Sequence, residues 1–265
     1  MIYNEIATVI SNKQIAHNIY EAVLFSPRIS KESKPGQFIN ILPSRSWNKV
    51  MRRPMSIASQ QDNKISIIYK VFGEGTEIIS KWSENLEVDI IGPLGNYWGN
   101  FSNKLPVLIG GGVGIAPIIN LHKMLDDLNM KHILIMGAKK KEEHFMEHDP
   151  ANHILLCTDK GKIGIKGNVI SPLYEIIKEN KNDSLKIFTC GPAPMIKAVA
   201  KFSLDNNIDC ELALETIMAC GFGICQGCTI IRKSSDSVNS YREKYVLACV
   251  DGPVFNLKDL NYAYI

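Results

Sequence analysis

The sequence lacks a run long and apolar enough to span a membrane. Its longest uncharged apolar stretch, Leu105 to Ile119, has 15 residues and carries four Gly and two Pro. A spanning helix needs about 20 apolar residues. A strong excess of charge is also missing. Against 30 Lys and Arg stand 27 Asp and Glu, for a net charge of +3 over 265 residues, and no basic stripe suggests a nucleic-acid partner. The longest basic run, Lys139 to Lys141, is followed at once by Glu142 and Glu143, which predicts a solvated helix start. Met1 to Ser11 contains Glu5 and has no basic segment leading into an apolar one, so no signal peptide is expected. The expectation is a cytoplasmic protein. Internal repeats, low-complexity tracts, Ser/His/Asp sets and paired carboxylates are absent from the pattern. The six histidines, His17, His122, His132, His144, His148 and His153, are scattered, and surface or core roles are expected for them rather than ligation.

Apolar residues make up 45% and charged residues 22%, enough for one large or two ordinary globular domains. The first hundred residues read as β-rich. Glu21, Val23 and Phe25 alternate with Ala22 and Leu24, and Gln37–Leu42, Lys64–Phe72 and Val88–Ile91 are further strand candidates between turn residues. Glu74–Trp82 suits a short helix. Many short strands with turn signals predict a small antiparallel barrel. From about Lys104 short apolar runs (Pro106–Ile109, Ile133–Met136, Ile154–Cys157, Ile187–Thr189) alternate with helical spacing, as in Ile115–Leu128. That alternation predicts α/β structure, with a parallel sheet and helices on both faces. The expected division is a barrel over 1–102, an α/β domain over 103–214 and a Cys-rich tail over 215–265.

Seven cysteines are present, an odd number, so a disulfide framework is not expected. Four crowd into the tail as Cys220-x4-Cys225-x2-Cys228, followed after 20 residues by Cys249. The first three match the plant-type spacing for a [2Fe–2S] cluster. Gly221, Gly223 and Gly227 between them let the backbone come close to a cluster and turn N–H groups to its sulfurs. A structural zinc site usually takes two short Cys pairs, and only one such pair exists here.

Gly110-Gly111-Gly112-Val113-Gly114 follows a strand and opens a helix, a place where backbone meets pyrophosphate. A simple tight turn is the plain alternative, since the spacing is not a strict dinucleotide fingerprint. Cys190-Gly191-Pro192 likewise ends a strand and begins a helix, where ligands meet parallel sheets; a buried apolar Cys is the plain alternative for Cys190. Arg53-Pro54-Met55-Ser56 offers a phosphate fork and a hydroxyl, Ile68-Tyr69-Lys70 a flat face and a cation, and Gly75-Thr76 a second helix start. Each set alone is an everyday combination.

Together these motifs resemble the ferredoxin–NADP reductase superfamily, in which a flavin-binding barrel precedes a nucleotide-binding domain. Arg53 to Ser56 looks like its R-x-[YFLM]-S flavin motif, and Gly110 to Pro117 and Cys190 to Met195 look like its nicotinamide motifs. Within it, Glu215-x-x-Met218-x-Cys220-Gly221-x-Gly223-x-Cys225-x-x-Cys228, with Cys249 and Asp251-Gly252-Pro253-Val254-Phe255, resembles the electron-transfer subunits of class B dihydroorotate dehydrogenases. The resemblance covers nearly the whole chain. It implies FAD on Arg53–Ser56, Ile68–Lys70, Gly75 and Thr76. It implies NAD(H) on Gly110–Gly114, Asp159 and Cys190–Pro192, with Cys190 near the nicotinamide, and a [2Fe–2S] cluster on Cys220, Cys225, Cys228 and Cys249. Asp159 would accept from the ribose 2′-hydroxyl and repel a 2′-phosphate. The implied partner is an FMN-containing dihydroorotate dehydrogenase catalytic subunit in a heterotetramer. Electrons would pass from its FMN through [2Fe–2S] and FAD to NAD⁺, in pyrimidine biosynthesis. About 50 residues remain after Leu214, too few for a fused ferredoxin domain, which needs about 80. The small flavin subunit of electron-bifurcating NADH–ferredoxin–NADP oxidoreductases and sulfide dehydrogenases shares the layout and is the alternative. A redox-sensing binding protein is the alternative of a different class. Lys70 stands where this superfamily often has Arg, and the polar Arg232–Lys244 loop is longer than its usual hairpin.

Overall fold

Six antiparallel strands close a barrel in the order β1-β2-β5-β4-β3-β6. They are β1 (Tyr3–Ala16), β2 (Ile19–Phe25), β3 (Phe38–Ile41), β4 (Arg53–Gln61), β5 (Lys64–Lys70) and β6 (Glu87–Leu94). This computed structural model describes residues 1–48, 51–233 and 240–262, without the side chains of Tyr241 and Arg242. On β2 the expected alternation holds, with Ala22 and Leu24 buried and Phe25 exposed. Val9, Leu24, Ile39, Ile57 and Ile67 fill the barrel, and α1 (Pro27–Glu32) adds Ile29. Each such side chain contributes about 1.5–3 kcal/mol by leaving water. The predicted helix after β5 is α2 (Glu74–Ile79). Strand β6 runs on past Gly92-Pro93, which was expected to end it; the bond between them is cis.

The second unit is a parallel sheet. Its strands are β7 (Leu105–Gly111), β8 (Ile133–Ala138), β9 (Ile154–Thr158), β10 (Ile165–Lys166), β11 (Leu185–Cys190) and β12 (Asp209–Ala213). They lie in the order β10-β9-β8-β7-β11-β12. Helix α3 (Ile115–Asp127) buries Ile118, Leu121 and Leu125 on one face. Helices α4 (Ser171–Glu179) and α5 (Ala193–Asp205) bury Leu173, Ile176, Ile196, Val199 and Phe202 on the other. The chain goes outward from β7 in one direction and from β11 in the other, so the two carboxyl ends part there and leave a crevice suited to a ligand.

The tail is not a separate layer. Strands β13 (Thr229–Ile231) and β14 (Tyr245–Leu247) form a two-stranded sheet, and β15 (Val254–Asn256) joins the large sheet antiparallel to β12. The centre of the long polar loop, residues 234–239, lies outside the described residues. Barrel and sheet are tied together. Asn120 on α3 donates to the Ile57 carbonyl at 3.0 Å, and Lys70 pairs with Glu143 at 2.7 Å. Lys139 to Lys141 are exposed, as expected, but lead into a short 3₁₀ turn instead of a helix. Among the described residues no helix is long and apolar enough to cross a membrane.

Candidate functional site

A cleft of about 440 Å³ lies where barrel, sheet and tail meet. Strand β4 brings Arg53 to Ser56, β5 brings Ile68 to Lys70, and the start of α2 brings Gly75 and Thr76. Val113 and Gly114 after β7, and Cys190 at the end of β11, form the facing wall. Leu214 to Thr216, Met218 and Pro253 of the tail complete it. Register explains the convergence: Cys190 pairs with Gly110 across the two strands at the crevice. The turns behind them touch so closely that a Cβ on Gly114 would stand 2.5 Å from the Gly191 Cα. Only glycine fits there.

Polar groups of the cleft are partly committed. Arg53 donates to the carbonyls of Met51 at 3.1 Å and Arg52 at 3.3 Å, and stacks on Trp47 at 4.8 Å. Its side chain lies over Gly75. Lys70 is held by Glu143. Burial alone would raise the Glu143 carboxyl, but the Lys70 ammonium and the N–H groups of Lys140 and Lys139 outweigh it and bring it below its usual range. Thr76 caps its own turn, accepting from the N–H groups of Phe72 and Gly73. Tyr69 lines the cleft, but its hydroxyl donates to Asn12 at 2.8 Å and its ring stacks on Tyr20, so the flat face expected to serve a ligand is occupied.

Thr216, Cys190 and Glu215 also line the cleft. Thr216 Oγ1 is buried without a protein partner, the state a ligand polar atom relieves. Burial, then the nearby Glu215, pushes the Cys190 thiol well up, so it stays neutral. Glu215 opens to the cleft, yet the protein around it displaces enough water to push its carboxyl up. Neither Glu215 nor Thr216 was given a site role in the sequence, although Glu215 opens the Cys motif that carries the resemblance. Gly110, Gly111 and Gly112 stand behind the cleft wall. Gly191 lines a second cavity beside Glu215 and Thr216, and Pro192 follows as the cap of α5. Asp159 sits exposed in the turn after β9, further along the same carboxyl edge.

The first of the four tail cysteines, Cys220, stands two residues beyond Met218. Cys228 and Cys249 are buried with sulfurs 3.2 Å apart. The Cys225 N–H points at the Cys220 sulfur at 3.4 Å. Burial would raise the Cys220 thiol, but N–H groups of Cys225, Phe222 and Ile224 together bring it down to about 6, which favours thiolate. Burial, with the neighbouring Cys228 thiol, pushes Cys249 up to about 12. The close thiols of Cys228 and Cys249 and the N–H groups turned to the Cys220 sulfur suit thiolate ligation of a cluster. Asn40 of β3 donates to the Cys220 carbonyl at 2.8 Å, fastening this loop to the barrel, and Gly221 adopts φ +82° beneath it. Asn40, a polar residue inside a barrel strand, carried no signal of that role in the sequence.

The comparisons agree with this geometry. Residues 215–261 match the family described as iron-sulfur cluster binding domain of dihydroorotate dehydrogenase B, and residues 108–201 match an oxidoreductase NAD-binding domain. The chain is similar to the dihydroorotate dehydrogenase B (NAD(+)) electron transfer subunit of Fusobacterium nucleatum. The two are 33% identical over 97% of this chain and 98% of that one. The counterpart from Caldanaerobacter subterraneus is 34% identical over 94% and 95%. Among solved structures, a chain of an NADH-dependent reduced ferredoxin–NADP oxidoreductase superposes with TM-score 0.83 at 25% identity, covering 98% of this chain and 91% of that one. A ferredoxin reductase of carbazole 1,9a-dioxygenase shares the barrel-plus-sheet fold, with TM-score 0.65 at 17% identity over 78% of this chain and 67% of that one. With that similarity along nearly its whole length, the chain belongs to the family of dihydroorotate dehydrogenase B (NAD(+)) electron transfer subunits.

Proposed function

We propose that this chain exchanges hydride with NAD(H) in the cleft and single electrons with an FMN-containing dihydroorotate dehydrogenase catalytic subunit, in a cytoplasmic heterotetramer. The observation that carries this reading is the shared wall. One segment, Leu214 to Met218, lines the cleft and leads within two residues to Cys220. When bound, FAD and a [2Fe–2S] cluster supply the conversion between two-electron and one-electron chemistry.

The residues of the chain bind and orient. Arg53 would hold the flavin phosphate by charge-assisted hydrogen bonds, with Pro54, Met55, Ser56, Ile68, Tyr69, Gly75 and Thr76 shaping the barrel side. Lys70, engaged by Glu143, would shape the wall without binding phosphate. Val113, Gly114 and neutral Cys190 would leave room for a nicotinamide against the flavin. Gly110 to Gly112, Gly191 and Pro192 would support the pyrophosphate, and Asp159 would accept from the adenosine ribose, favouring NAD over NADP. Cys220, Cys225, Cys228 and Cys249 would hold the cluster.

Ile217, Phe222, Ile224 and Val250 are exposed, each within three residues of a cluster cysteine. An apolar patch at this place suits the partner's contact surface. Val254, Phe255 and Leu257, also apolar residues of the tail, are buried as local core, because β15 is a strand of the large sheet.

Reconstitution tests the reading. The isolated chain should reduce dyes with NADH and leave dihydroorotate untouched. Adding the FMN subunit should create dihydroorotate–NAD⁺ activity. Transfer by the pair to ferredoxin or polysulfide instead would assign the chain to the bifurcating alternative.

A further inference from the structure

Three side chains far from the redox cleft meet at the opposite end of the sheet. His122 and Asp126 stand one turn apart on the last half of α3, and His132 immediately precedes β8. One ligand atom from each lies within 4.8 Å of the others. The His132 ring is buried and the His122 ring half-buried, while the Asp126 side chain is 59% exposed. The sequence hid this, because nine residues and a helix end stand between the two histidines.

Hydrogen-bond counting shows the cluster is short of a positive charge. His132 Nδ1 lies 2.8 Å from the Met130 carbonyl, which only accepts. Its hydrogen is therefore on Nδ1, and Nε2 carries a lone pair. That lone pair faces His122 Nδ1 at 2.6 Å and an Asp126 oxygen at 3.7 Å. His122 Nε2 in turn faces the other Asp126 oxygen at 3.3 Å. A neutral His122 has one hydrogen for two such contacts. Whichever nitrogen bears it, two acceptors are left facing each other.

We propose that His122, Asp126 and His132 form a binding site for a divalent transition metal, zinc in the first place. The ligands are Nε2 of His132, a ring nitrogen of His122 and a carboxylate oxygen of Asp126. Two imidazoles with one carboxylate suit zinc, nickel or copper in preference to magnesium or calcium. A ligand histidine whose other N–H is anchored on a carbonyl is the usual supporting arrangement, and His132 has it already. Tetrahedral ligation at about 2.05 Å sets the two nitrogens about 3.3 Å apart, so the rings part by less than an ångström. The exposed side at Asp126 leaves water as the fourth ligand. The metal clamps α3 to the start of β8 and takes no part in electron transfer.

The test uses the whole chain with its flavin and cluster in place, after mild chelation, titrated with Zn²⁺ by calorimetry. One zinc per chain is expected, with affinity falling at least tenfold in Asp126→Ala and in His132→Gln. Cu²⁺ added to the oxidised protein should give an EPR signal split by ring nitrogens, which the variants lose. NADH–dye reduction and the cluster's absorption should not change. Asp126 is exposed, so Asp126→Ala carries the test alone where His132→Gln fails to fold. Zinc binding equally tight in Asp126→Ala and wild type, or no stoichiometric binding to wild type, overturns the proposal.

Discussion

Arg53 and Lys70 carry the same charge into one cleft wall, but their surroundings differ. Arg53 is braced by two carbonyls and an indole, whereas Lys70 is already neutralised by Glu143. Arg53→Ala should therefore weaken FAD binding by about 1.5–3 kcal/mol, the usual worth of a charge-assisted contact, and Lys70→Ala should weaken it far less. Equilibrium flavin release from the two variants checks this, and equal losses would contradict it. Glu215 gives a pH signature. Its folded-state pKa is raised, so folding favours the protonated carboxyl. Its contribution to stability is full below the ordinary carboxylate range and falls away as pH rises through the raised value. Glu215→Gln should remove that decline, so the variant gains on wild type between acid and neutral pH in urea midpoints. Partial exposure keeps the effect modest. The basic and cysteine residues of the site were legible in the sequence because their types and spacings are chemically specific. Glu215, Thr216 and Asn40 were not, since their roles come from burial and neighbours distant in the chain.

At the scale of elements, β11 and β12 share a buried ion pair. Lys186 Nζ meets Glu211 at 2.6 Å and also the carbonyls of Gly99 and Asn100, while Glu211 accepts from the Gly99 N–H. The pair pins the barrel-to-sheet connection onto the strands. Lys186→Met leaves a buried carboxylate uncompensated and should cost about 3–5 kcal/mol in urea unfolding. Adding Glu211→Leu should recover a large part, because the orphan charge is then gone. A double variant no more stable than the single one would refute this account. Such residues also explain which strands the sequence concealed. Strand β12 reads Asp-Cys-Glu-Leu-Ala, and its charged Glu is inside only because Lys186 is there. Strand β1 pairs with β6 in its first half and β2 in its second, with irregularities between Val9 and Ser11 and between Gln14 and Ala16. Each irregularity shifts the alternation that a reader of the sequence relies on. The central parallel strands β7 and β8 were easy by contrast: buried over most of their length, they are unbroken apolar runs.

Over the whole molecule, the seven cysteines divide by place. Cys157 and Cys210 are buried within the sheet, and burial pushes both thiols up to about 12. Ser at either position should leave about two iron per chain, whereas Ser at 220, 225, 228 or 249 should damage the cluster. Iron and sulfide analysis of anaerobic protein decides between them, and stoichiometric zinc in place of iron would overturn the cluster reading. The order of barrel, sheet and tail was legible in the changing pattern of strands, helices and cysteines along the chain. That the tail returns to the sheet was not, since β15 is three residues long and its pairing with β12 leaves no local pattern. This pairing has a practical consequence. Glu211, Leu212 and Ala213 are sealed by Asn256, Phe255 and Val254, and Asn96 of the barrel end bonds Asp251 and Val254. A chain cut after Leu214 would bare a strand edge, an invitation to aggregate, and would remove one wall of the cleft. Severing the electron outlet to obtain a flavin-only reductase therefore calls for changing sulfur atoms one at a time, because scissors would take the hydride site with it.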